Sequence, residues 1–111
     1  MKLVKAGEGE VYEAKRHSGC FAMKKLDPEK LSKRLNIALS HFLPGGGAEM
    51  SASPLERAYY VINGSLTVKG KAEQYKLAAG DLLYIAPGEE REIKVEGTEP
   101  ASILVIMSRV D

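Results

Sequence analysis

The sequence contains one cysteine, two histidines and no tryptophan among its 111 residues. Cys20 has no second cysteine to pair with, so an internal disulfide is impossible and nothing demands an oxidising compartment. Because Cys20 precedes Phe21 in a predicted strand, we expect a buried and unreactive thiol.

Long apolar runs and an excess of either charge are also missing. No stretch approaches the ~20 residues of a membrane-spanning helix, and the N-terminal MKLVKAGEGE holds no hydrophobic segment of signal-peptide length. Sixteen basic and fifteen acidic residues give a formal charge of +1, whereas nucleic-acid-binding domains normally carry a strong basic excess. We therefore expect a cytoplasmic protein that binds neither membrane nor nucleic acid.

The sequence does contain a series of short β-type segments separated by glycine and proline. From residue 35 to 40, large apolar side chains alternate with smaller or polar ones, which is the two-residue period of a half-buried strand. Residues 57–62, RAYYVI, predict a strong strand, and Asn63-Gly64 after it is typical of a two-residue hairpin turn. Further strands are predicted at 20–26, 65–69, 72–77, 82–86, 89–95 and 102–107. Many short strands with little helix predict an all-β sandwich or barrel.

This pattern predicts one structural domain in two parts. Residues 1–33 form an N-terminal arm and the first strands, and residues 34–108 form the barrel. Within the barrel, Pro44 and the glycines at 45–47 predict a corner between a strand and a short segment at 48–53, because glycine adopts backbone conformations that other residues resist.

Two groups of residues resemble the sequence motifs of small single-domain cupins. Pro44-Gly45-Gly46 resembles the glycine corner of the first motif, and residues 59–64, YYVING, resemble its end. The second motif is matched by Gly80-Asp81, Tyr84 and Pro87-Gly88. The resemblance covers residues 34–108. It implies the cupin fold, an all-β double-stranded β-helix or jelly-roll barrel, here preceded by an N-terminal arm.

The resemblance also shows which residues occupy the positions of the family's metal ligands. The two His positions of the first motif fall on Ser51 and Ser53, its Glu position on Arg57, and the His position of the second motif on Arg91. Serine is a poor neutral ligand, and arginine stays protonated and cannot coordinate a cation. We therefore expect no metal and no other cofactor. The alternative is a displaced metal site that uses His41 and Glu49.

The resemblance further implies that these positions face a pocket. Arg57 and Arg91 would then form a clamp for a carboxylate or phosphate, because a guanidinium group offers a planar fork to such anions. The predicted ligand-binding residues are Glu49, Ser51, Ser53, Arg57, Tyr59 and Arg91. In the alternative, Glu49 pairs with Arg57, and Glu89 or another acidic neighbour pairs with Arg91, and these ion pairs fill the cavity.

These residues favour a metal-independent binder of a small anionic or carbonyl-containing metabolite, and they leave open whether the protein is an enzyme. One alternative is a metal-dependent isomerase, lyase or dioxygenase with the displaced ligands. Another is a structural or partner-binding module. Small cupins commonly form dimers through packed sheets or an exchanged N-terminal strand, so the resemblance implies a homodimer.

Overall fold

The computed structural model of the protein describes residues 1–109, and these fold into nine strands. The strands are β1 (Glu10–Tyr12), β2 (His17–Leu26), β3 (Leu35–Ser51), β4 (Glu56–Asn63), β5 (Ser65–Lys69), β6 (Gln74–Ala78), β7 (Leu82–Ile85), β8 (Arg91–Lys94) and β9 (Ala101–Ser108). The described residues contain no helix, and hence none long and apolar enough to cross a membrane. The all-β prediction is confirmed.

All strand pairs are antiparallel, and the strands follow the order β6-β5-β8-β3-β9-β4-β7 around a nearly closed barrel. The predicted N-terminal arm supplies two further strands, because β2 pairs with β3 and β1 pairs with β2. The long strand β3 pairs with two different strands of the barrel order. Its first half, Leu35 to Phe42, pairs with β9, and its second half, Gly47 to Ser51, pairs with β8.

The three consecutive glycines lie inside β3, so the prediction of a corner between two separate elements is wrong. Gly45 has a φ of +84°, which strains residues with a side chain. Gly47 passes so close to β8 that a Cβ there would lie 2.1 Å from the carbonyl oxygen of Ile93. The glycines therefore bend one continuous strand and let its backbone approach a neighbouring strand closely.

Alternation along the strands separates the barrel interior from its surface. In β4, Arg57, Tyr59 and Val61 are buried, whereas Tyr60 and Ile62 are exposed. Residues directly opposite one another on paired strands share a face, so β9 and β7 continue the same interior. The interior is mostly apolar and is centred on Phe42, Val61, Leu66, Ile93 and Ile103. Two arginines, Arg57 of β4 and Arg91 of β8, are also buried.

Candidate anion-binding site

A cavity of about 440 Å³ opens into the barrel and is lined by polar and apolar residues. The polar lining residues include Lys15, His17, Ser40, Ser51, Ser53, Arg57, Tyr59 and Arg91. The apolar lining residues include Phe42, Ile93, Ile103, Val105 and Met107. A cavity of this size, mostly apolar with a few convergent polar groups, is typical of small-molecule sites.

Arg91 is held in this cavity by three hydrogen bonds to neutral groups. Its Nε donates to the Tyr59 hydroxyl at 2.8 Å, and its Nη1 donates to the Glu49 carbonyl oxygen at 2.9 Å and to Ser51 Oγ at 3.0 Å. Only 8% of the residue is exposed. These contacts fix the orientation of the guanidinium group but do not neutralise its charge.

Arg57 is even more deeply buried and less completely bonded. Only 4% of the residue is exposed, and its Nη2 donates to the carbonyl oxygen of Glu89 at 2.9 Å. Its Nε is buried and has no hydrogen-bond partner within the described residues. Burial lowers the pKa of Arg57 below its usual value. Repulsion from Arg91 lowers this pKa further, whereas Tyr59 and the more weakly acting charge of Glu89 oppose the shift. Arg57 therefore carries a poorly compensated charge and a free donor.

The predicted ion pairs with Glu49 and Glu89 are not formed. Neither Arg57 nor Arg91 makes a salt bridge within residues 1–109. The carboxylate of Glu89 instead accepts a hydrogen bond from the Ala86 backbone N–H at 3.2 Å. Glu49 contributes only its carbonyl oxygen, because its exposed side chain lines a different groove beside the glycines of β3.

The structure therefore brings five of the six predicted ligand-binding side chains to one cavity. Ser51, Ser53, Arg57, Tyr59 and Arg91 all line it, while the Glu49 side chain does not. Ser51 accepts from Arg91, and Ser53 Oγ accepts from the Leu55 N–H at 3.1 Å. Ser51 thus helps to hold Arg91, and Ser53 helps to hold the backbone at Leu55. Both serines also line the cavity.

The alternative metal pair, His41 and Glu49, is not brought together. His41 is exposed, its Nδ1 lies 2.6 Å from Ser102 Oγ, and it lines a surface groove that Glu49 does not share. In the part of the chain that the structure describes, no group of three or more His, Cys, Asp and Glu side chains could hold a metal ion.

Sequence reasoning missed the contribution of the N-terminal arm to this cavity. Tyr12, Lys15 and His17 line it from β1, β2 and the turn between them. Uninterrupted strand alternation from Cys20 and Ala22, which lie toward the interior, would place His17 on the outer face. A register shift between Ser18 and Cys20 reverses this and pairs His17 with buried Ala48. The sequence signal that could have indicated this shift is Gly19, whose φ in the structure is +55°.

The barrel and its pocket define a protein of the cupin class. Residues 38–107 match the family described as Cupin domain, so the chain belongs to the cupin family. It is 30% identical to a Mycobacterium tuberculosis protein named beta-D-galactosidase Rv1717, over 97% of this chain and 94% of that one.

Two solved structures show the same fold at lower sequence identity. The polyketide cyclase RemF from Streptomyces resistomycificus has a TM-score of 0.85 at 17% identity, covering 97% of this chain and 79% of that chain. A predicted oxalate decarboxylase from Thermotoga maritima has a TM-score of 0.85 at 16% identity, covering 98% of this chain and 100% of that chain.

Proposed function

We propose that this cupin binds a small anionic or carbonyl-containing metabolite between Arg57 and Arg91, without a metal. The observation that carries the proposal is Arg57, which is buried, makes no ion pair within residues 1–109 and keeps an unbonded Nε. An unpaired buried charge costs several kcal/mol, so the fold retains an unfavourable group that a bound anion would compensate. The composition and single cysteine support a cytoplasmic location.

Thermal unfolding in the presence of sodium salts tests this proposal. A panel of small carboxylates, 2-oxo acids and inorganic phosphate would be compared with sodium chloride at equal ionic strength. A bound anion at about 100 times its Kd stabilises the folded state by about 2.7 kcal/mol, which raises the Tm of a domain of this size by about 10 °C. The neutral amide of each active acid is the control. The proposal fails if no anion raises the Tm above the chloride value.

Hydrolysis of galactosides, suggested by the name of the mycobacterial relative, is a second candidate that rests on whole-chain identity. Glycosidases usually place two carboxyl groups on either side of the scissile bond. Among the described residues that line the cavity there is no Asp or Glu. The geometry therefore supports an anion site better than this hydrolysis. Release of nitrophenol from a nitrophenyl galactoside would favour the hydrolase instead.

We propose that the protein is a homodimer, which packs through the outer face of β4 and β7. Tyr60, Ile62, Leu82 and Tyr84 form this outer face and are between 41% and 60% exposed. The chain exposes 7138 Å², compared with about 6,000 Å² for a compact monomer of this mass. This excess of exposed surface is larger than the surface of about 800 Å² that each partner buries in a standard interface.

Leu82→Lys is expected to convert the dimer into a monomer, because it places a charge at the centre of an apolar contact. Light scattering should give the mass of two 12.1 kDa chains for the wild type and of one chain for the variant. Leu31→Lys is the matched control, since Leu31 is also half exposed but lies in the turn after β2. A wild-type mass of one chain would dispose of the dimer.

A further inference from the structure

His17 lies in the cavity in a fixed orientation that leaves one ring nitrogen available. Its Nδ1 donates to the carbonyl oxygen of Lys15 at 2.7 Å, because a carbonyl can only accept. Its ring stacks on Phe42, with centroids 6.2 Å apart and planes inclined by 17°. In the neutral ring Nε2 therefore carries the lone pair. Nε2 has no partner in the described residues.

Burial and a neighbouring cation favour the neutral form of the His17 ring. Lys15 on its own segment, Arg57 on β4 and Arg91 on β8 are cationic, and Tyr12 and Tyr59 are phenols. The nearest acidic residue of β3, Glu49, has an exposed side chain that lines another groove. Burial lowers the pKa of His17, and the charge of Arg91 lowers it further against the effect of the bond to Lys15.

We propose that His17 Nε2 is a general base that removes a proton from the carbon next to the carbonyl group of a bound 2-oxo acid. The inference rests on the proposed function, because one guanidinium group must hold the carboxylate. The other guanidinium group lines the same cavity and would stabilise the negative charge that develops on the carbonyl oxygen of the enolate. This assigns a catalytic residue and a substrate class to a site that otherwise only binds.

The step balances without a further reactant. The C3–H bond breaks, the proton goes to Nε2, and the electron pair forms the enolate C2–C3 double bond with negative charge on the carbonyl oxygen. Return of a proton from the imidazolium to C3 or to the enolate oxygen regenerates the neutral base and releases the oxo acid or its enol. The net reaction is keto–enol isomerisation, accompanied by exchange of the C3 hydrogen with solvent.

The apolar residues of the cavity narrow the substrate class further. Phe42, Ile103 and Val105 line the same cavity as the polar groups, and they fit a branched or aromatic hydrocarbon substituent. We therefore expect oxo acids with an apolar substituent to react faster than purely polar dicarboxylates.

Proton exchange measured by NMR tests the proposal directly. The C3 protons of 2-oxo-4-methylpentanoate would be followed in D₂O with the wild-type protein and with His17→Gln, and binding of the same acid would be measured by calorimetry. The wild type should exchange these protons about 100-fold faster than His17→Gln, while both bind the acid. Exchange should fall as the pH drops through the lowered pKa of His17, because the protonated ring cannot act as a base.

A second variant separates catalysis from a structural role. His17→Ala should be inactive in exchange and should partly recover when free imidazole is added, which a structural role of His17 would not produce. Equal exchange rates in wild type and His17→Gln, with binding intact, overturn this inference but leave the proposed function standing. Absence of binding by the wild type to any oxo acid also overturns this inference, and the proposed function is overturned with it only if no other anion of the panel raises the Tm.

Discussion

Arg57→Met is expected to weaken anion binding about 100-fold, since a charge-assisted hydrogen bond contributes about 1.5–3 kcal/mol. The same change should raise the free energy of unfolding of the empty protein by about 1 kcal/mol, because methionine replaces a buried charge and an Nε that lack an ion-pair or hydrogen-bond partner among residues 1–109. Calorimetry of the binding anion and urea denaturation measure the two effects.

Arg91→Met separates binding from support of the fold. This variant should also lose the anion, but it should lower the free energy of unfolding by about 2 kcal/mol, because Tyr59, Ser51 and the Glu49 carbonyl lose their donor. Arg109→Met, at an exposed position, is the matched control and should change neither quantity. If Arg57→Met instead destabilised the protein by about 3–5 kcal/mol with binding unchanged, Arg57 would stabilise the fold and would not bind the anion.

Gly47→Ala is expected to destabilise the protein by about 3 kcal/mol or more, an effect of overpacking against backbone. The added Cβ would lie 2.1 Å from the Ile93 carbonyl oxygen. Strand β8 cannot retreat without loss of the pairing between Gly47 and Lys94 and between Ala48 and Ile93. Urea denaturation measures the change.

Gly7→Ala provides the control for this substitution. Nothing lies within 4 Å of a Cβ built on Gly7, so its stability should stay within about 0.5 kcal/mol of the wild type. A Gly47→Ala variant as stable as Gly7→Ala would contradict the close approach of β3 and β8. This comparison tests the position of the glycines independently of any ligand.

Most of the fold followed from local patterns in the sequence. The alternation at residues 35–40 and 57–62 predicted β3 and β4, and Asn63-Gly64 predicted the hairpin between β4 and β5. The glycines at 45–47 were recognised as a backbone requirement but were assigned to a corner. A glycine can allow the chain to turn or can allow a neighbouring strand to approach closely, and which of these applies depends on the strand that packs beside it. Here that strand is β8, about 45 residues later in the chain.

The candidate site was predicted only in part, for a related reason. The resemblance to cupin motifs placed Ser51, Ser53, Arg57 and Arg91 at the pocket, and Tyr59 was predicted as part of its lining. His17 was not among the predicted site residues, because the register shift in β2 that turns it inward is set by pairing with β3. The ion-pair alternative assumed that the carboxylates of Glu49 and Glu89 contact the arginines. In the structure these two residues accept hydrogen bonds from the arginines through their backbone carbonyl oxygens instead.

By itself, the sequence determined the all-β class, which depends on residue type and on short-range periodicity. Its resemblance to cupin motifs implied the cupin barrel and placed serines and arginines at the positions of the family's metal ligands. Tertiary structure alone decided that the Arg57 charge lacks a carboxylate partner within the described residues and that His17 joins the cavity. These features depend on contacts between segments far apart in the chain, such as Arg91 with Tyr59, whose distances are set by strand register.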